Sequence, residues 1–156
     1  FVLSMFSDTV VSGSTAIVSV IVLLVFIFLG ILFDMIGVAV TVADEKVFNS
    51  MAAKKIRGAK RALRLLKSKS KVSSFCNDVV GDVCGILSGS AGVTLGLAIA
   101  NEFSLNLALV NLVLTSFIAA FTIGGKAVGK SVAINKSNRI LYLFAKTLDM
   151  VTFKKS

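Results

Sequence analysis

The stretch AIVSVIVLLVFIFLGILF, residues 16–33, runs for eighteen residues without a charge. It decides the fold class. A helix of that length, with its flanks, reaches across the ~30 Å hydrocarbon core of a bilayer, and it is apolar on every side, where a surface helix of a soluble domain would show a polar face. The apolar run continues past Asp34 to Ala43, which places a first span at about 12–43. No Lys or Arg precedes it and it is too long for the apolar core of a secretory signal, so a removable signal peptide is not expected. Gly30 and Gly37 bracket Asp34 and predict a helix that is kinked or unwound near its inner end.

The rest of the 156 residues extends the same reading. The chain is 56% apolar with a mean hydropathy of +0.92, above the roughly 45 to 50% apolar content of soluble domains. Its net charge is +9, and all 17 Lys and Arg fall in two stretches, residues 46–71 and 126–155. Basic segments alternating with apolar runs are the asymmetry of a multi-pass protein of the cell membrane whose positive loops stay in the cytoplasm. The predicted orientation therefore puts the N-terminus outside and both basic stretches inside. Nucleic acid is not an expected partner, because the basic residues flank spans and lack interleaved stacking aromatics.

Residues 72–100, VSSFCNDVVGDVCGILSGSAGVTLGLAIA, form the second predicted span. Small residues recur in it as Gly81, Gly85 and Gly89 and again as Ser88, Gly92 and Gly96, a spacing that lets helices approach closely. A short outer turn at Asn101 and Glu102 leads to the third span, 103–124, where Asn106, Asn111, Thr115 and Ser116 are candidate interhelical hydrogen-bonding groups. Between the first two spans, residues 46–68 are rich in Lys and Arg, with apolar Val47, Met51, Ile56, Ala59, Leu63 and Leu66 at near-helical spacing. This predicts a basic amphipathic helix lying on anionic lipid headgroups. Residues 139–153 carry interior Lys146 and Asp149 and predict a second interfacial helix instead of a fourth span. The fold class is thus all-α integral membrane: one domain of three transmembrane helices with basic amphipathic juxtamembrane helices.

The chain has no His, which removes the commonest general base, and no nucleophile, base and orienting group occur together, so an enzyme is not expected. Cys76 and Cys84 are too few for a thiolate zinc site, and eight residues of helix hold them roughly 12 Å apart, too far to bridge. GGKAVGKS, residues 124–131, fits the phosphate-loop pattern through Gly124, Gly129, Lys130 and Ser131. It follows a membrane span instead of a buried strand, and no alternation of strands and helices surrounds it, so nucleotide is not an expected partner.

These motifs have a better counterpart. VADE (Val42–Glu45), KRALRLL (Lys60–Leu66), the pair Gly81 and Asp82, and GKAVGKS (Gly125–Ser131) follow one another in order, and residues 38–153 resemble the transmembrane domain of the CNNM/CorB/CorC family of magnesium transport proteins. That family carries S-A-x-E late in its first span, a basic RRALRLL-like helix, a G-N pair in the second span and G-E-(I/V)-(I/V)-P-K-S at the end of the third. The resemblance implies a homodimer, or a complex with a partner membrane protein, and a divalent cation, Mg2+, as cargo. Family members usually add a cytosolic CBS-domain pair, which these 156 residues do not include.

The resemblance also implies an ion site, and this sequence alters it. The family's coordinating Asn falls at Asp82, its Glu at Lys126, its Ser at Val42 and its Pro at Gly129. A hard divalent cation takes oxygen ligands and is repelled by an ammonium. The expectation is that Lys126 occupies the cation position opposite Asp82, with Gly81 and Gly125 beside them. Asp78, one turn before Asp82, is the second candidate carboxylate, so any metal ligands would be Asp78 and Asp82. Asp82 lies about 13 Å into its span, beyond reach of water for a short side chain. Helical counting from Asp78 through Gly81, Asp82, Gly85 and Gly89 predicts that the acidic pair faces the helix bundle rather than lipid. Asp34 and Asn77 are lesser candidates that cap or line the inner vestibule.

Overall fold

The computed structural model describes residues 16–153, which are helical with no strand among them. The elements are α1 (Ala16–Val42), α2 (Glu45–Ala53), α3 (Ala59–Lys67), α4 (Lys69–Ser74), a π-helical turn (Phe75–Val80), α5 (Gly81–Phe103), α6 (Leu107–Asn135) and α7 (Ser137–Phe153). Three stretches are long and apolar enough to cross a membrane: Ile17–Val42, Lys69–Phe103 and Leu107–Asn135. The all-α reading with three membrane-length helices is what the structure contains; residues 12–15 of the first predicted span lie outside the described residues. α6 shows exposed apolar surface most plainly. Its Leu109, Phe117 and Phe121 are 63 to 70% exposed, a density of bare apolar surface that a soluble monomer rarely shows.

Several boundaries differ from the sequence reading. α1 is continuous from Ala16 to Val42 and is not unwound around Asp34; its glycines instead admit neighbours. The turn between α5 and α6 sits at Ser104–Asn106, three residues later than expected. Ser104 takes a left-handed conformation (φ 52°), and the Asn106 side chain accepts from the Ala108 backbone N–H at 2.9 Å, starting α6. α6 then continues eleven residues beyond the predicted end at 124.

The helices form two compact units, each assembled from discontinuous segments: one from residues up to Ile31 with Val80–Lys126, the other from Leu32–Val79 with Ala127–Ser156. In the first, Leu23 and Ile27 of α1 pack with Ala91 of α5, flanked by Ile31 and Ile118. Glycines make the close approaches: Gly92 receives Ile118, Gly96 receives Asn111, Gly125 receives Ile31 and Gly30 receives Cys84. Small residues at helix crossings are how apolar helices gain packing energy without a hydrophobic drive from lipid.

The second unit has a core of Val40, Phe48, Ala62, Leu66, Leu141 and Ala145. The single amphipathic helix expected over 46–68 is broken in two by a turn at Lys54–Gly58, where Lys55 (φ 55°) and Gly58 (φ 85°) are left-handed. The break folds α2 and α3 so that their apolar faces meet each other and α7. Most of the apolar face is therefore covered by protein, while Val47 and Ile56 and the basic Lys54, Lys55, Arg57, Lys60, Arg64 and Lys67 remain exposed. Asp44 caps α2 by accepting from the Lys46 N–H at 2.9 Å, and its own N–H donates to the Asn138 side chain at 2.9 Å. Arg61 donates to the Leu148 carbonyl at 2.8 Å and lies 3.6 Å from Asp149, fixing α3 on α7.

Gly58 meets two requirements at once. Its φ is left-handed, and a Cβ there would lie 3.3 Å from Lys146 Cα and 3.4 Å from its N, backbone atoms that cannot swing aside. Gly58→Ala is expected to cost about 1 to 3 kcal/mol, since the left-handed conformation alone costs an L-residue roughly 1 to 2 kcal/mol. Thermal unfolding in detergent checks this; an unchanged midpoint would show that the turn can be rebuilt.

Candidate functional site

The sequence singled out Asp78, Gly81, Asp82, Gly125 and Lys126. The structure places Gly81 and Asp82 at the start of α5, with Gly81 buried and Asp82 exposed. Farther along α5, Gly85 and Gly89 have open space where a side chain would be, and Ile86, Val93 and Leu97 are 65%, 44% and 41% exposed. These positions recur at helical spacing from Asp82 and make one uncovered stripe. Asp78, in the other compact unit, is exposed on the π-helical turn. The expectation that the two acids face the helix bundle is therefore corrected: within one protomer their side chains point outward. The reason is that helical counting groups Asp82 with Gly85 and Gly89 on one side of α5 without saying which side is covered; Cys84, Leu87, Ser88 and Ala91 on the opposite side are the buried ones.

Lys126 is half-buried on α6, directly after Gly125, whose missing side chain lets Ile31 approach. Cys84 belongs to the buried face of α5, two residues and about 200° around the helix from Asp82. Among the described residues the ion pairs join Arg57 and Arg61 to Asp149, and none joins Asp82 to Lys126. The protomer thus does not bring the expected pair together. Nor do three or more Asp, Glu, Cys or His side chains converge among the described residues in a way that could hold a metal ion.

The glycine-lysine motif at 124–131 lies wholly within α6. Its backbone N–H groups are engaged in helical hydrogen bonding, so they are not turned outward to cradle a phosphate. The polar groups of the third span also behave differently from the expectation. Thr115 donates to the Asn111 carbonyl at 2.7 Å and Ser116 to the Leu112 carbonyl at 2.7 Å, both within their own helix, and Asn106 is a helix cap. Asn111 does turn toward α5, but its buried Oδ1 lacks a hydrogen-bond partner.

Two further buried oxygens without a partner are Asp34 Oδ2 and Asn77 Oδ1. From the sequence, these residues are expected only to cap or line the inner vestibule. Their burial became visible only with the face each presents, and the signal that could have raised them was Asp34 itself, the lone carboxylate of the first span. Comparison with known protein families, with curated proteins and with solved structures returns no match.

Proposed function

We propose that the chain is an integral membrane protein of the CNNM/CorB divalent-cation transporter type, working as a dimer in which a second copy covers the stripe headed by Asp82. The observation that carries this reading is an exposed carboxylate on a membrane-length helix beside two glycines that nothing fills. A bare carboxylate in hydrocarbon is expensive, and intramembrane acids normally border a protein interface or a water-filled pathway. A second copy docking on Gly85 and Gly89 supplies both, since glycines permit close backbone approach. The exposed basic residues of α2 and α3 match anionic headgroups on the cytoplasmic side. In this reading Mg2+ is cargo, and Lys126, standing where the resemblance calls for a carboxylate, pairs with Asp82 only in the assembled protein.

One observation favours a second reading, in which the chain is a non-transporting assembly or regulatory subunit of the same type. The half-buried Lys126 puts a positive charge where a divalent ion would need oxygen.

The two readings diverge in a single set of measurements. Parent, Asp82→Asn, Lys126→Glu and the double variant are placed in liposomes and followed for Mg2+ flux and thermal stability with and without Mg2+. The transporter reading expects flux in the parent, lost in Asp82→Asn, together with non-additive stability effects at the two positions. The subunit reading expects no parental flux and Mg2+-dependent stability appearing only in the double variant. Gly85→Leu should lower the cross-linked dimer fraction in both. An unchanged dimer fraction, with additive effects at Asp82 and Lys126, would remove the shared-face proposal.

A further inference from the structure

On α1, Asp34 and Gly37 lie three residues apart and so occupy one face, a turn from each other. Both are buried, with Asp34 only 8% exposed. The π-helical turn presents Asn77 to that face: a Cβ on Gly37 would overlap the Asn77 amide, with Oδ1 as the nearest atom. Asp34 Oδ2 and Asn77 Oδ1 are both buried and both lack a hydrogen-bond partner. The Asn77 Nδ2 points the other way, donating to Ser73 Oγ at 3.4 Å. Two acceptor oxygens have thus been buried on facing elements with no donor between them. Buried polar groups are nearly always satisfied, and an exception calls for an explanation.

A ligand that satisfies both oxygens must carry positive charge or donate protons. Charge selects among such ligands, because a single carboxylate in a membrane helix is neutralised by a single positive charge. Divalent cations take six or more oxygens, usually with several carboxylates, and no cluster of three acidic or other metal-ligating side chains occurs among the described residues. The π-helical turn supplies Asn77, and such turns recur at functional sites. Gly37 leaves the room that the amide occupies.

We propose that Asp34 and Asn77 form a binding site for one small monovalent cation, held by a carboxylate and an amide oxygen, with Ser73 accepting from the Asn77 Nδ2 and so orienting the amide. The site is separate from Asp82 and Lys126 and does not depend on the transporter reading; it can fail while that reading stands, and the reverse.

The test uses the full chain in detergent or nanodiscs. Thermal unfolding is compared in sodium chloride and in N-methyl-D-glucamine chloride at equal ionic strength, for the parent, Asp34→Asn and Asp82→Asn. Sodium is expected to raise the parent midpoint by about 3 to 6 °C at ten times its dissociation constant. Asp34→Asn should abolish that rise and Asp82→Asn should keep it. Broadening of the sodium-23 resonance by the parent, reversed by lithium, gives a readout that needs no variant. Equal midpoints in the two salts with no broadening would overturn the site, the Asn77 amide then being turned to donate to Asp34. A sodium response that survives in Asp34→Asn would also overturn it, as would a Mg2+ response at matched ionic strength that Asp34→Asn removes.

Discussion

Phe48→Ala is expected to lower the stability of the juxtamembrane unit by about 3 to 5 kcal/mol, the range for truncating a fully buried aromatic in a packed core. Phe48 has no exposed surface and touches the centre of a cluster contributed by α1, α2, α3 and α7. Its removal leaves a cavity walled by Val40, Leu66 and Leu141, which sit on separate helices tied by the Arg61 contacts, and those walls cannot all move inward. The neighbouring Val47, 38% exposed on the same helix, provides the contrast; Val47→Ala should change stability by less than about 1 kcal/mol. Hydrogen exchange in detergent reads both effects, with α2, α3 and α7 losing protection together in Phe48→Ala. Loss confined to α2 would mean that the cluster is not one cooperative unit.

The second large effect lies between α5 and α6. Gly96 is buried, and a Cβ added there would overlap Asn111 Oδ1 and lie 3.1 Å from its Cγ. Gly96→Val is therefore expected to cost about 2 to 3 kcal/mol, because the branched side chain displaces the amide and separates the helices. The expectation has an internal control. Asn111→Ala removes the obstructing group, and it also removes an acceptor that is buried without a partner, so alone it should cost little. In the double variant the valine occupies the vacated space, and an interaction energy of about 1 to 2 kcal/mol should favour the pair. Unfolding of the four proteins in a mixed-detergent titration measures the cycle, and additive effects would show that Gly96 and Asn111 do not meet.

Much of the architecture was legible because hydrophobic run length is a strong signal. Residues 16–33 signalled a helix long and apolar enough to span a membrane, and the structure contains three such helices, α7 not among them. What escaped were features set by backbone phase and by partner choice. An amphipathic pattern over 46–68 states that one face seeks an apolar surface but not whether that surface is lipid or protein. The turn at Lys54–Gly58 decided for protein, and its one sequence signal was Gly58. The candidate site was less legible for a related reason. Asp82, Gly85 and Gly89 were correctly grouped on one side of a helix, yet whether that side is covered depends on which neighbours pack against α5, and the opposite side, with Cys84 and Leu87, is the buried one. Asp34 was visible as a lone acid, whereas its lack of a hydrogen-bonding partner is a property of the packed chain.

The core around Phe48 also has a schedule. Its early members, up to Leu66, leave the ribosome about 75 residues before Leu141 does, and Leu141 and Ala145 of α7 have no exposed surface. At 5 to 20 residues per second that interval is roughly 4 to 15 s. During it, α2 and α3 exist with their apolar faces uncovered while two further membrane-length helices are still being made. A chain whose translation stops before α7 keeps that face bare, so α7 acts as the seal over the unit that α2 and α3 begin.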